Sequence, residues 1–242
     1  MSRFFISASG TEIGKTFVTS TLITQLRAAG HSVDALKPVA TGYDPREPER
    51  SDSGVLLAAL GRPIDTRLIE QITPWRFEEP LSPDMAADRE ERSIPFTQLV
   101  DFCAERPRVD VTLIEGIGGI MVPLDSSHTV LDWLEALAIP VLLIVGGYLG
   151  TLSHTLTAVG MLRSRGQELA GIIVNESADQ PVTLWKLRTS SRDSSSRRRC
   201  YYCRGCKALI KHRIFCRYSH PTFRPRLQRQ IINGKQNLQS PR

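Results

Sequence analysis

Residues 1–180 predict a doubly wound α/β domain, a mostly parallel sheet with helices on both faces. Two observations carry this. Strand-like and helix-like segments alternate through the body of the chain. The strand-like segments are continuous apolar runs rather than alternating ones, as expected of strands buried on both faces. A hydrophobic content of 41% supplies enough apolar side chain for a sizeable core.

Arg3–Ser7 is a short apolar strand that runs into a glycine-containing loop. Lys15 to Ala29 has helical spacing, with Phe17, Val18, Leu22, Ile23 and Leu26 on neighbouring faces, and Gly30 stops it. Val33–Leu36 is a second strand, ended by Lys37-Pro38. Asp44 to Arg50 is a polar loop, and Gly54 to Leu60 a short helix. Residues 73–95 carry Pro74, Pro80, Pro83 and Pro95 and read as irregular. Phe96 to Ala104 is a helix, Val109 to Ile114 a strand ending at Glu115-Gly116, and Thr129 to Leu137 a helix. Pro140 to Val145 is a central strand, Thr151 to Arg165 a helix and Leu169 to Val174 the last clear strand. Ligands of such sheets sit beyond the carboxyl ends of the strands. Ser7–Gly14, Lys37–Thr41, Glu115–Gly119, Gly146–Thr151 and Asn175 are therefore expected to converge on one crevice.

Charge divides the chain. The net charge of +6 combines a body, residues 1–180, with 15 Lys and Arg against 24 acids, and a tail, residues 181–242, with 16 against one. The body is thus −9 and the tail +15. An acidic body argues against nucleic acid as its partner. Ser190 to Arg199 is almost wholly serine and arginine, a composition that cannot bury apolar surface, so the tail is expected to be disordered. Cys200, Cys203, Cys206, His212, Cys216 and His220 in the tail suggest zinc, but their spacing fits no common finger. Cys103 stands alone in the body, which fits a reducing compartment. The longest strongly apolar run, Ile139 to Gly147, is too short to span a bilayer. Met1 to Ser7 lack the long apolar region of a signal peptide, so a cytoplasmic protein is expected, with no membrane partner.

The chemistry concentrates in Ala8-Ser9-Gly10-Thr11-Glu12-Ile13-Gly14-Lys15-Thr16, which follows a strand and opens a helix. That is the context of a Walker A loop, and it makes the fold P-loop NTPase-like. Backbone N–H groups of such a loop surround phosphates, Lys15 meets the β/γ oxygens, and the Thr16 hydroxyl ligates Mg2+. The usual leading glycine is replaced by Ala8 or Ser9. Lys37, at the end of a strand, points toward the same crevice. Asp52 reads either as a helix-capping acid or as a metal ligand. Glu115 follows a buried strand and precedes Gly116-Ile117-Gly118-Gly119, where a second metal-binding acid of a P-loop enzyme belongs. Gly118 and Gly119 would let the backbone approach phosphate.

Gly10–Thr16, Lys37-Pro38-Val39-Ala40-Thr41-Gly42, Ser51-Asp52, Glu79-Pro80-Leu81-Ser82-Pro83, Glu115–Gly119, Leu149-Gly150-Thr151-Leu152-Ser153-His154 and Val174-Asn175 together resemble the dethiobiotin synthase family in order and spacing. The resemblance covers residues 1–180 and implies an ATP- and Mg2+-dependent enzyme of biotin biosynthesis. Its substrates would be 7,8-diaminononanoate, CO2 and ATP, and it would close a cyclic urea through a carbamate and its phosphorylated form. It implies catalytic roles for Lys15 and Lys37, and nucleotide contacts from Glu12, Ile13, Gly14, Lys15, Thr16, Phe17, Asp52, Glu115, Gly116, Ile117, Gly118, Asn175 and Glu176. Thr16, Asp52 and Glu115 would hold Mg2+. Thr41 would contact the reacting amine or carbamate, and Gly150, Thr151, Leu152 and Ser153 the substrate carboxylate, across a homodimer. Asp84 stands where the family often has histidine. Nothing after about Pro181 resembles the family's closing elements, which points to a shifted reading frame or an unrelated fusion. Two other readings stay open: another Walker A ATPase, and a non-catalytic protein whose tail binds zinc or nucleic acid.

Overall fold

A computed structural model describes residues 1–105 and 107–176, and the backbone of residues 200–203. Eight strands form in chain order: β1 (Ser2–Ala8), β2 (Val33–Leu36), β3 (Val39–Ala40), β4 (Trp75–Arg76), β5 (Val111–Glu115), β6 (Val141–Val145), β7 (Leu169–Asn175) and β8 (Cys200–Cys203). Among the described residues seven α-helices accompany them: α1 (Lys15–Ala28), α2 (Asp52–Ala59), α3 (Thr66–Ile72), α4 (Pro83–Arg89), α5 (Phe96–Ala104), α6 (Val130–Leu137) and α7 (Thr151–Ser164). The main sheet runs β2-β5-β1-β6-β7-β8 with every pair parallel, and β3 and β4 form a small parallel sheet of their own. This is the predicted doubly wound architecture, and the predicted apolar runs form β1, β2, β5, β6 and β7.

The core follows from those runs. All five residues of β5 and of β6 are buried, as strands covered on both faces must be. α1 packs on β1, β2 and β5, with α2 against α1, while α5 packs on α6. Trp133 of α6 stands edge-on to Phe5 of β1 with ring centroids 4.8 Å apart. Thr129 caps α6 in a reciprocal box with Asp132, which satisfies donors at that helix end.

Two expectations are corrected. Residues 73–95 are not wholly irregular, because they contain β4 and α4. Pro83 sits in the first turn of α4, where a missing N–H costs nothing, so a proline that looks like a breaker opens a helix. α2 begins at Asp52 rather than Gly54. Ser51 is its cap, and its hydroxyl accepts from the Gly54 amide at 3.0 Å, leaving Asp52 as the first helical residue. In the tail, the backbone of Cys200–Cys203 pairs with Ile172–Asn175 as a sixth parallel strand. Tyr201-Tyr202 is strand-prone by residue type, and four residues are too short to display a period. The remainder of the predicted tail, residues 181–199 and 204–242, lies outside the described residues, as do Cys206, His212, Cys216 and His220 of the zinc reading.

The start of α2 is packed to the limit. A Cβ on Gly54 would collide with the Pro48 carbonyl oxygen and lie 2.8 Å from Glu49 Cα. Gly54→Ala is therefore expected to cost about 1–3 kcal/mol in urea unfolding. A cost near zero would mean that the short 3-10 turn at Pro48–Arg50 yields freely.

Candidate active site

β1 ends at Ala8, and the chain crosses to α1 in six residues. The Ser9 amide donates to the Ile144 carbonyl of β6 at 3.0 Å, which pins the loop to the sheet. Glu12 at φ 57° and Gly14 at φ 88° turn the backbone through the left-handed region. Gly14 also has no room for a side chain, because a Cβ there would collide with the Asn175 amide. That amide donates to the Ile13 carbonyl at 2.8 Å, so Asn175 at the end of β7 clamps the loop. α1 has no side-chain cap and no acid in its first turn. Its first amides are left for an anion.

Four elements meet at this point. Thr16 Oγ1 lies 2.7 Å from Asp52 Oδ1 and 2.7 Å from Glu115 Oε1, and its single proton serves one of them at a time. Lys37 Nζ lies 3.0 Å from Glu115 Oε1, 3.0 Å from Asp52 Oδ2 and 3.0 Å from the Gly116 carbonyl oxygen, so its three donors have three acceptors. Lys15 Nζ donates to the Gly118 carbonyl at 2.9 Å and reaches the Gly10 carbonyl at 3.5 Å. Among the described residues this leaves one Lys15 donor for an incoming oxygen. Glu115 is fully buried, and its Oε2 has no partner among the described residues.

The two lysines are driven in opposite directions. Burial, then the Lys37 charge beside it, lowers Lys15 from 10.5 to about 8. Burial also opposes the Lys37 charge, but Glu115 and Asp52 more than offset it and raise Lys37 to about 12. Burial would raise Asp52, yet Lys37 and the Thr16 hydroxyl hold it below the ordinary carboxylate range. Lys37 is thus a fixed cation, while Lys15 is a cation that the site has not fully compensated.

The cluster unites Lys15, Thr16, Lys37, Asp52, Glu115, Gly116 and Gly118 as the sequence led one to expect. Ile13 and Asn175 join it through the clamp. Glu12 lies in the phosphate loop, Phe17 in the first turn of α1 and Ile117 just past β5, and Glu176 is exposed just past β7. Thr41 follows β3, half-buried. Gly150 opens α7 at φ 95°, but Thr151 is buried with its hydroxyl on the Gly146 carbonyl at 2.8 Å. Leu152 and Ser153 lie at the surface. Among the described residues no hydrogen bond joins this turn or Thr41 to the lysine–carboxylate cluster. Sequence reasoning missed the buried hydroxyl pair Ser53 and Thr73, 2.7 Å apart beside Asp52. Nothing in Ile72-Thr73-Pro74 signals more than a turn.

Against known proteins, residues 2–221 match the family model described as an AAA domain. The ATP-dependent dethiobiotin synthetase BioD of Acidiphilium cryptum is 50% identical over 193 residues, covering 78% of this chain and 86% of that protein. The protein of the same name from Methylobacterium nodulans is 47% identical over 190 residues, covering 75% and 84%. That of Caulobacter vibrioides is 44% identical over 184 residues, covering 75% and 83%. With identities this high across three-quarters of its length, the chain belongs to the ATP-dependent dethiobiotin synthetase family.

Proposed function

We propose that the chain makes dethiobiotin from 7,8-diaminononanoate, CO2 and ATP. The observation that carries this reading is the meeting of Lys15, Thr16, Lys37, Asp52 and Glu115 at the mouth of the phosphate loop. One substrate amine adds to CO2 and loses a proton, giving a carbamate. A carbamate oxygen takes the γ-phosphoryl group of ATP, and ADP leaves. The second amine attacks the carbamoyl carbon and loses a proton, phosphate departs, and the urea ring closes.

This chain's residues serve charge and position in that sequence. Phosphoryl transfer asks the protein chiefly for alignment and for cations where negative charge spreads. Lys15 has a donor left for a β/γ oxygen, and Lys37 is a preorganised cation in a water-poor setting. The donor set of Thr16, Asp52 and Glu115 suits Mg2+. All three offer hard oxygens, and the buried Glu115 Oε2 lacks a partner among the described residues. Among the described residues no cluster of three or more His, Cys, Asp or Glu gathers, so phosphate and water would complete the shell. Bound there, Mg2+ would neutralise charge on the β/γ phosphates.

Glu12, Ile13, Gly14 and Phe17 would line the phosphates, with Gly116, Ile117 and Gly118 opposite. Asn175 and Glu176 would face the base. Thr41 would meet the amine or carbamate. The first turn of α7, Gly150 to Ser153, would take the substrate carboxylate from a second copy of the chain. Leu149, 87% exposed, and Leu156, 60% exposed, support a homodimer at that helix, since large apolar side chains seek cover. Among the described residues no helix is long and apolar enough to cross a membrane. A cytoplasmic location is part of the proposal.

Lys15→Ala is expected to lower dethiobiotin formation about 100-fold or more, the scale of removing one preorganised donor. Turnover within tenfold of the parent, followed by mass spectrometry of the product, would remove Lys15 from the mechanism. Glu115→Gln is expected to raise the Mg2+ concentration needed for half-maximal rate by about tenfold or more, with the chain still folded by circular dichroism. An unchanged Mg2+ requirement would make Glu115 structural only. The lowered Lys15 fixes the sign of a third outcome. Between about pH 8 and its ordinary range Lys15 is largely neutral in the free protein, and bound phosphate recharges it. ATP binding is expected to take up protons, more at about pH 9 than at about pH 7. Calorimetry in buffers of differing ionisation enthalpy reads this directly, and Lys15→Arg should abolish it.

A further inference from the structure

The Lys37–Asp52 ion pair is gripped from behind by one corner of the chain. At the end of α3, the Ile72 carbonyl accepts from the Lys37 backbone amide at 3.0 Å. The next residue, Thr73, places its hydroxyl 2.7 Å from Ser53 Oγ, and both side chains are fully buried. Ser53 directly follows Asp52 in the first turn of α2. Two residues further on, the Trp75 amide donates to the Pro38 carbonyl at 3.1 Å. The segment from Ile72 to Trp75 therefore holds the strand end that carries Lys37 and the helix start that carries Asp52.

Asp52 needs such a grip. Its side chain is only partly covered, 45% exposed, so packing alone does not fix the carboxylate. Its place relative to Lys37 Nζ, 3.0 Å away, and Thr16 Oγ1, 2.7 Å away, is set by where α2 begins. A buried hydroxyl is costly unless paired, and a directional bond between two of them fixes a register that apolar packing would leave loose.

We propose that Thr73 and Ser53 are positioning residues for the metal-binding acid Asp52. The Ile72–Thr73 corner is the bracket that sets the Lys37–Asp52 geometry. This rests on the reading of Thr16, Asp52 and Glu115 as the Mg2+ site. The pair touches no substrate and acts only through the placement of α2.

Four variants test it: Thr73→Val, which keeps the shape and loses the hydroxyl, Ser53→Ala, the two combined, and Thr73→Ser, which keeps the hydroxyl. For each, calorimetry follows binding of a non-hydrolysable ATP analogue across a Mn2+ titration, alongside Mg2+-dependent synthesis and thermal unfolding. Thr73→Val is expected to raise the half-saturating metal concentration about tenfold, as loss of a supporting partner does. The KM for the diamine stays at the parent value, and Thr73→Ser restores the metal response. The combined variant, which leaves no orphan hydroxyl, shows the same metal defect. Should Thr73→Val fail to fold, Ser53→Ala removes less and carries the test. A lower melting temperature with the parent's metal response in all variants overturns the bracket and leaves the pair structural. A parent chain whose nucleotide binding ignores divalent metal overturns the site reading and the bracket together.

Discussion

The ion pair between Lys37 and Glu115 is the constraint on which the site is built. Neither side chain has appreciable exposure, and the two meet at 3.0 Å. Burying two charges costs several kcal/mol per ion before their attraction is counted, and losing one partner typically costs about 3–5 kcal/mol. The sheet makes the pair possible. β2 and β5 run parallel with Leu36 opposite Ile114, so the next residue on each strand is Lys37 and Glu115. β1 lies on the other side of β5 with Ile6 opposite Glu115, which brings the phosphate loop to the same level. A one-residue slip in either ladder would turn these side chains to the wrong face. Strand order and register therefore bring Lys37, Glu115 and the phosphate loop to one level, and the start of α2 adds Asp52.

That convergence divides the work between the lysines. Lys37 meets as many acceptors as it has donors and is held charged at about 12. Lys15 bonds carbonyl oxygens, and burial and the Lys37 charge together outweigh the pull of Glu115 and Asp52 and lower it to about 8. An anion arriving at the loop relieves the second and need not disturb the first. The free protein thus stores an unfavourable charge where phosphate is to bind, which is a form of preorganisation.

The parts legible in the sequence were those with long or redundant signals. β6 is an unbroken apolar run, β5 is apolar but for Thr112 up to Glu115, and α1 follows a glycine-containing turn, so none depends on fine detail. Lys15, Thr16 and Glu115 were legible because each sits at a strand end or a helix start with glycines beside it. The short elements were not. β3 and β4 are two residues each, below any periodicity, and α4 hides behind Pro83. The Ser53–Thr73 bond joins residues 20 apart whose hydroxyls carry no pattern. Asn175 is legible as a nucleotide contact, but its clamp on Ile13 depends on a contact 162 residues away in sequence. Such contacts are decided by packing, which one sequence does not display.

The backbone of Cys200–Cys203 runs along β7 and accounts for the outer edge of Ile172, Ile173, Val174 and Asn175. Those β7 residues are buried and mostly branched and apolar. Without that cover, the sheet would end in a row of open amide and carbonyl groups flanked by isoleucine and valine. An edge of that kind templates pairing with any extended chain, including its own copies. Trimming the C-terminal segment to obtain a tidier protein would thus trade the basic tail for a sticky sheet edge, and poor solubility would be the price.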